Sequence, residues 1–254
     1  MTLLTISNVS KMFGKLAALE DINLEINEGE VVGIVGPNGS GKTTLINVMS
    51  GFYRPTTGQI IYDGKRISGL RPDQICSRGV MRTFQSNVLY RDATVITSMI
   101  RASFMNLKAG SWAQFLNTSG FKAKENELWK KSAELLDVFG LSKFRDMRAL
   151  DLPHGSQRIL GIAMAVVTHP RLLLLDEPMT GMNDEETMEV VSLIGKLRQQ
   201  GITIILVEHN MKAVLNATQR LIVLNFGHKI ADGRPEHVVD MNEVIECYLG
   251  TEVI

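Results

Sequence analysis

The sequence predicts an α/β fold, and three observations predict it. The runs Val31–Val35, Leu172–Leu175 and Ile202–Val207, apolar throughout but for Thr203, suit strands covered on both faces. Residues 3–35 hold shorter strand patterns: Thr5–Ser10 and Leu19–Ile26 set apolar against polar positions, as half-buried strands do. Between these regions, roughly residues 88–168 follow helical spacing. There Trp129, Ala133 and Leu136 recur at i, i+4 and i+7, with Leu128, Leu135 and Phe139 beside them and Lys130, Lys131, Glu134 and Asp137 opposite. Because this helical stretch interrupts an α/β pattern, residues 1–254 read as one domain with a helical subdomain inserted at about 88–168.

Composition narrows the function classes. The 254 residues are 44% hydrophobic and 21% charged, which excludes a disordered or fibrous chain. Lys+Arg number 27 and Asp+Glu number 27, so the basic excess of a nucleic-acid binder is missing and no nucleic-acid partner is expected. Cys76 and Cys247 cannot form a disulfide framework, which fits a reducing compartment. No apolar run approaches the roughly 20 residues a bilayer crossing takes. The opening MTLLTISNVSKMFGK lacks the long apolar stretch of a signal peptide. The expectation is a soluble, intracellular protein that works at a membrane only through a partner.

The remaining elements follow in order. Asn27–Glu30 is a turn, a glycine-rich loop follows Val35, and a helix starts at about Lys42. Ala109–Ser119, rich in Gly, Ser and Asn, reads as an exposed excursion. Val190, Ile194 and Leu197 mark a helix that begins at Asn183, an N-cap with Glu186 three residues on. Lys196 and Arg198 lie near its C-terminus, where cations suit the dipole.

Chemistry is concentrated at four places. Gly36-Pro37-Asn38-Gly39-Ser40-Gly41-Lys42-Thr43 fits G-x-x-x-x-G-K-[ST], with a buried strand before it and a helix after it. Its glycines let backbone N–H groups turn inward as an anion nest, and the helix N-terminus adds a favourable dipole. Lys42 can reach β- and γ-phosphates, Thr43 can offer its hydroxyl to Mg²⁺, and Thr44 is placed to add an α-phosphate contact. Asp176 and Glu177 end the run Leu172–Leu175, and ligands of open α/β sheets bind beyond such strand ends. There Asp176 can hold Mg²⁺ through its water shell and Glu177 can polarise an attacking water. His209 follows Ile202–Val207 and Glu208; taken alone, it reads more readily as a structural histidine than as a γ-phosphate sensor. Gln85, in Arg82-Thr83-Phe84-Gln85-Ser86, has an amide able to bind Mg²⁺-held water, and without context it reads as a surface glutamine.

In this order and spacing, the phosphate loop, Gln85, Asp176-Glu177 and His209 resemble the ATP-binding cassette (ABC) ATPases over essentially the whole chain. KMFGKLAAL, GFYRPTTGQI, GVMRTFQ, LLLLDEP, ILVEHNMKAV and the ending ECYLG are most similar to the ATPase subunit of bacterial branched-chain amino acid importers. The resemblance implies a P-loop NTPase (ABC ATPase) core with an antiparallel β subdomain and an inserted α-helical subdomain. It implies ATP and Mg²⁺ as ligands, permease subunits and a second ABC ATPase subunit as partners, a solute-binding protein indirectly, and a place on the cytoplasmic face of the cell membrane. By resemblance Phe13 stacks on adenine, Gln85 faces the membrane subunits, His209 is the switch histidine and Thr180–Asn183 crosses a dimer seam. Asn183 reads equally as the helix N-cap.

The resemblance breaks at the signature, where the family has Ser-Gly-Gly-Gln after a leucine. Here Leu152 is followed by Pro153, His154, Gly155 and Ser156, so only the second glycine is kept. A hydroxyl donor and a backbone N–H are lost together. A hydrogen bond to a charged group contributes about 1.5–3 kcal/mol, so slower turnover with ATP binding retained is one expectation, and harmless variation is the other. Ser156 is expected to cap the following helix and keep its dipole aimed at phosphate, with Gly155 beside it. Competing classes are a cassette acting on nucleic acid or ribosomes, a regulatory module that clamps ATP with little hydrolysis, and a small-molecule kinase.

Overall fold

The computed structural model describes residues 1–83, 90, 92–104 and 119–249, with side chains for all of these except 119–125 and 249. Ten strands are present among them: β1 (Thr2–Phe13), β2 (Leu16–Asn27), β3 (Val31–Val35), β4 (Thr57–Tyr62), β5 (Lys65–Arg66), β6 (Val80–Arg82), β7 (Leu172–Asp176), β8 (Thr203–Val207), β9 (Arg220–Asn225) and β10 (His228–Gly233). They form an antiparallel sheet ordered β2-β1-β4-β5 and a six-stranded sheet ordered β10-β9-β3-β8-β7-β6. In the larger sheet every neighbouring pair is parallel except β10 with β9. All residues of β3, β7 and β8 are buried, as strands sandwiched on both faces require.

The chain divides into two compact units: residues 1–82 together with the chain from Arg171 on, and Thr83–Pro170. The first unit holds both sheets. One core runs through it, joining Ile6, Ile22 and Ile26 of the antiparallel sheet to Ile34, Leu174 and Ile205 of the larger sheet, with Leu45, Ile46 and Met49 of the helix Lys42–Met49 among them. A second cluster around Val35, Leu221 and Val223 is covered by Val214, Val238 and Val244 from short helices. These positions leave the C-terminal ends of β3, β7 and β8 side by side.

The strand pattern of β1 departs from simple alternation. Ile6 and Val9 are both buried although three residues apart, and the register against β2 shifts between them. Asn8 takes up the extra residue with φ +50°, and Asp21 on β2 answers with φ +48°. Asn8 Nδ2 donates to Asp21 Oδ1 at 2.7 Å, and Asn8 N donates to Asn23 Oδ1 at 2.9 Å, so polar side chains satisfy the ladder groups that the bulge releases.

In the second unit the helix Val95–Ser103 packs against Ser119–Val138 and His154–Val166. Thr94 caps the first of these through Thr97 N, and Thr94 also bridges to Arg148. In Ser119–Val138, Leu136 is buried and Lys130, Lys131, Glu134 and Asp137 are exposed, the sidedness its periodicity predicts. Of the expected excursion 109–119, Ser119 is already helical and the rest lies outside the described residues.

Candidate nucleotide site

The loop after β3 is shaped by two glycines that no other residue can replace without strain. Gly36 has φ +149°, and a Cβ there would stand 2.1 Å from the Leu224 carbonyl oxygen. Gly41 has φ +104°, and its Cβ would meet the Ala18 carbonyl oxygen at 2.7 Å. Both obstacles are backbone, so neither can rotate away. Gly41 is the N-cap of Lys42–Met49; it offers no side-chain cap, and the first turn carries no acid. The leading N–H groups of that helix are therefore open to an anion. Ser40 is buried, and its carbonyl accepts from Gly227 N at 3.0 Å, which fixes the loop to the β9–β10 turn. Asn38 and Gly39 are exposed at the loop's tip, Thr43 is exposed and Thr44 half-buried.

Lys42 is 7% exposed and its ammonium is folded into the loop. Nζ donates to the carbonyls of Gly36 at 2.7 Å and Pro37 at 2.9 Å, and approaches Ser40 Oγ at 3.4 Å. Burial lowers its pKa from the ordinary lysine value, while the charge of Glu177 raises it. That electrostatic link ties the loop to the end of β7.

Asp176 is 2% exposed. Its Oδ2 accepts from Arg82 Nη2 at 2.9 Å, and its Oδ1 is buried with no hydrogen-bond partner among the described residues. Burial raises the Asp176 pKa, against the pull of Arg82. Arg82 is anchored in turn, since Nη1 donates to Asn47 Oδ1 at 2.7 Å and Ser50 Oγ at 3.0 Å, and its guanidinium lies 5.4 Å from the Phe52 ring centre. Glu177 has φ +49°, a backbone held by its N–H donating to the Val207 carbonyl at 2.9 Å. Its Oε2 receives a long contact of 3.5 Å from Thr180 Oγ1.

Beyond β8, Glu208 is buried and His209 is exposed. Glu208 accepts from Met179 N at 2.7 Å and His209 N at 3.2 Å. Asn183 caps the helix Asp184–Gln199: its Oδ1 accepts from Glu186 N at 2.9 Å, and Glu186 Oε2 accepts from Asn183 N at 3.1 Å. At the C-terminal end of β1, Phe13 is 42% exposed and meets Tyr53 edge-to-face at 5.2 Å. Lys11 Nζ stands 4.9 Å from the Phe13 ring centre.

The first unit holds Phe13, the loop Gly36–Thr44, Asp176, Glu177 and His209. Gly155 and Ser156 lie in the second unit, and Gln85 lies outside the described residues. The capping role expected of Ser156 is corrected. The helix His154–Val166 has its N-cap at Pro153, three residues before Ser156, which leaves Ser156 inside the first turn, and Pro153 makes no side-chain cap bond. Proline favours that start because its fixed φ, here −53°, suits the junction while its ring offers no acceptor. Two residues escaped the sequence reading, Arg82 and Glu208. Arg82 ends β6 and Glu208 directly follows β8, and a charge buried at such a strand end requires a partner.

Fold and loop together define a P-loop nucleoside triphosphatase. Residues 19–180 match the ABC transporter family, and the chain belongs to that family as an ATPase cassette. It is 39% identical over 249 residues to the high-affinity branched-chain amino acid transport ATP-binding protein BraF of Pseudomonas aeruginosa, with 98% of each chain covered. It is 40% identical over 249 residues to the LivG protein of Escherichia coli, which carries the same description, again with 98% of each covered. Among solved structures, an ABC transporter's ATP-binding cassette in its ADP conformation superposes with a TM-score of 0.86 at 30% identity, covering 98% of this chain and 99% of the other. A dimeric cassette in a post-hydrolysis state, bound to ADP and Pi, gives 0.78 at 25% identity, covering 92% and 99%.

Proposed function

We propose that this chain is the ATPase subunit of an importer for amino acids, branched-chain or related. One observation carries the reading. The open N-terminus of Lys42–Met49, with Lys42 beside it, stands in the same unit as Asp176, Glu177 and His209 at the ends of the neighbouring strands β7 and β8. In this reading Gly36, Asn38, Gly39, Ser40 and Gly41 wrap the triphosphate with backbone N–H groups. Lys42 exchanges the Gly36 and Pro37 carbonyls for β- and γ-phosphate oxygens, and Thr44 meets the α-phosphate. Phe13 offers its exposed ring to adenine. Glu177 orients the attacking water, and His209 contacts the γ-phosphate.

Mg²⁺ fits the residues present, because Asp176 Oδ1 is a buried acceptor without a partner among the described residues and Thr43 is exposed beside the loop. Asp176, Thr43 and Gln85 would hold the ion. When bound, it neutralises charge on the β- and γ-phosphate oxygens.

Two cassettes, identical or different chains, close on ATP in this reading, with Gly155 and Ser156 of the second one completing the pocket; the dimeric relative supports it. Among the described residues no helix is long and apolar enough to cross a membrane. Attachment at the cytoplasmic face of the membrane therefore runs through permease subunits, and a solute-binding protein delivers the solute. The names of BraF and LivG support amino acids; urea and short amides are the alternative solutes.

Three measurements test the reading. Lys42→Ala should lose Mg-ATP binding, and Glu177→Gln should trap an ATP-bound pair on size-exclusion chromatography when its partners are supplied. Cells lacking the chain should lose uptake of labelled leucine, isoleucine or valine. Full ATP binding by Lys42→Ala would refute nucleotide capture by this loop, and uptake lost only for urea or short amides would replace the solute.

The bare Pro153 cap favours a second reading, in which this chain is the weakly hydrolysing member of a mixed pair. Turnover of the assembled transporter, compared between Pro153→Ser and the unaltered chain, separates the two. A gain of tenfold or more supports the asymmetric pair, and no gain supports harmless variation.

A further inference from the structure

Glu208 has no part in the chemistry assigned above, yet it is 1% exposed and both of its carboxylate oxygens are engaged. Oε1 accepts the backbone N–H of Met179 at 2.7 Å, and Oε2 accepts that of His209 at 3.2 Å. The His209 ring follows the same carboxylate, with Nδ1 4.0 Å from Oε2. Met179 lies two residues after Glu177, in the loop that runs on to Asn183. That loop is joined to β8 a second time by Glu177 N donating to the Val207 carbonyl. Two loops that leave neighbouring strands are thus joined through one buried side chain.

A buried carboxylate is costly, and an apolar residue would fill the space more cheaply. Met179 is itself 4% exposed, so its N–H would be left without an acceptor if Glu208 were replaced by a hydrocarbon. Burial raises the Glu208 pKa, and the two backbone bonds and His209 oppose that rise. The carboxylate is therefore held where its geometry is used, at the junction of the loops carrying Glu177 and His209.

We propose that Glu208 is a positioning residue for ATP hydrolysis, a bridge that makes His209 and the Glu177–Asn183 loop move as one body. The inference rests on the proposed function, in which His209 contacts the γ-phosphate and Thr180–Asn183 meets the second cassette. A displacement of His209 on γ-phosphate loss then reaches the seam loop through Glu208 rather than dissipating in either loop.

The test uses the full chain assembled with its transporter partners. Glu208→Gln keeps the shape but aims an amide N–H at one of the two backbone N–H groups. The expected result is kcat lowered tenfold or more, with KM and Mg-ATP binding changed by less than threefold. In a His209→Ala background, measured on the residual turnover, Glu208→Gln should lower kcat no further, because the imidazole that the bridge positions is gone although the backbone bond at residue 209 remains. An unchanged kcat, effects that multiply in the double variant, or loss of ATP binding in step with kcat would each overturn the proposal. If Glu208→Gln does not fold, Glu208→Asp keeps both acceptors on a shorter arm; it should lower kcat threefold or more at constant KM, and wild-type kcat overturns the proposal. Lys42→Ala run in parallel separates the two levels. ATP binding that survives Lys42→Ala defeats the functional reading, whereas failure of the Glu208 variants alone defeats only the bridge.

Discussion

Replacing Arg82 by methionine removes one partner of the most buried ion pair described. The side chains of Arg82 and Asp176 are 8% and 2% exposed, and their contact is 2.9 Å. The substitution leaves Asp176 with neither oxygen partnered, and it strips Asn47 Oδ1 and Ser50 Oγ of a donor. Breaking a buried pair from one side costs about 3–5 kcal/mol, since the remaining charge is desolvated without compensation. For a chain of this size each kcal/mol moves Tm by about 2–4 °C, so Arg82→Met should unfold roughly 6–20 °C lower. Thermal unfolding followed by circular dichroism, without nucleotide, measures this directly. A second variant isolates the cause. Arg82→Met combined with Asp176→Leu exchanges the whole pair for hydrocarbon, an exchange that is often neutral, and should recover most of the loss. A single variant within 2 °C of wild type, given the ~1 kcal/mol that such a shift represents, would refute the argument. So would a double variant less stable than the single one.

Three further outcomes follow from the geometry. Asn183→Ala removes the side-chain half of the capping box, the bond from Glu186 N to Asn183 Oδ1, and should cost about 0.5–2 kcal/mol in urea unfolding, with Mg-ATP binding by the isolated chain unchanged. Gly36→Ala forces a Cβ to 2.1 Å from a backbone oxygen and should abolish folding or nucleotide binding; Gly39→Ala meets nothing within 4 Å and should cost only the roughly 1–2 kcal/mol of a left-handed backbone, read from the same unfolding and binding curves. Burial alone would raise the Asp232 carboxyl, but bonds from Arg220 Nε at 2.6 Å and Lys229 Nζ at 3.1 Å outweigh it and hold the pKa below 3.8. Its stabilisation is in place above the unfolded value of 3.8 and disappears as pH falls through the lower folded value. Urea midpoints should therefore drop more steeply in that acid window for wild type than for Asp232→Asn, and parallel slopes would contradict the assignment.

Much of this molecule was legible from local pattern. The apolar runs marked β3, β7 and β8, the loop spacing marked Gly36–Thr44, and the Asn183–Glu186 box marked a helix start, because each depends on bonds and burial spanning a few residues. Their N–H donors, rotamers and faces are settled by neighbours a turn or a pleat away. Other features waited for the chain to come together. The Thr5–Ser10 pattern gave no warning of the bulge at Asn8, whose partner Asp21 sits on another strand. Ser156 looked like a cap because serine often is one, yet Pro153 sets the helix start. Arg82 meets Asp176 across 94 positions, and Glu208 meets Met179 across 29. Which buried charge faces which depends on the strand order β3-β8-β7-β6, and strand order is a property of the packed sheet. A window of sequence can say that a charge at a core strand's end needs a partner, but only the folded sheet supplies one.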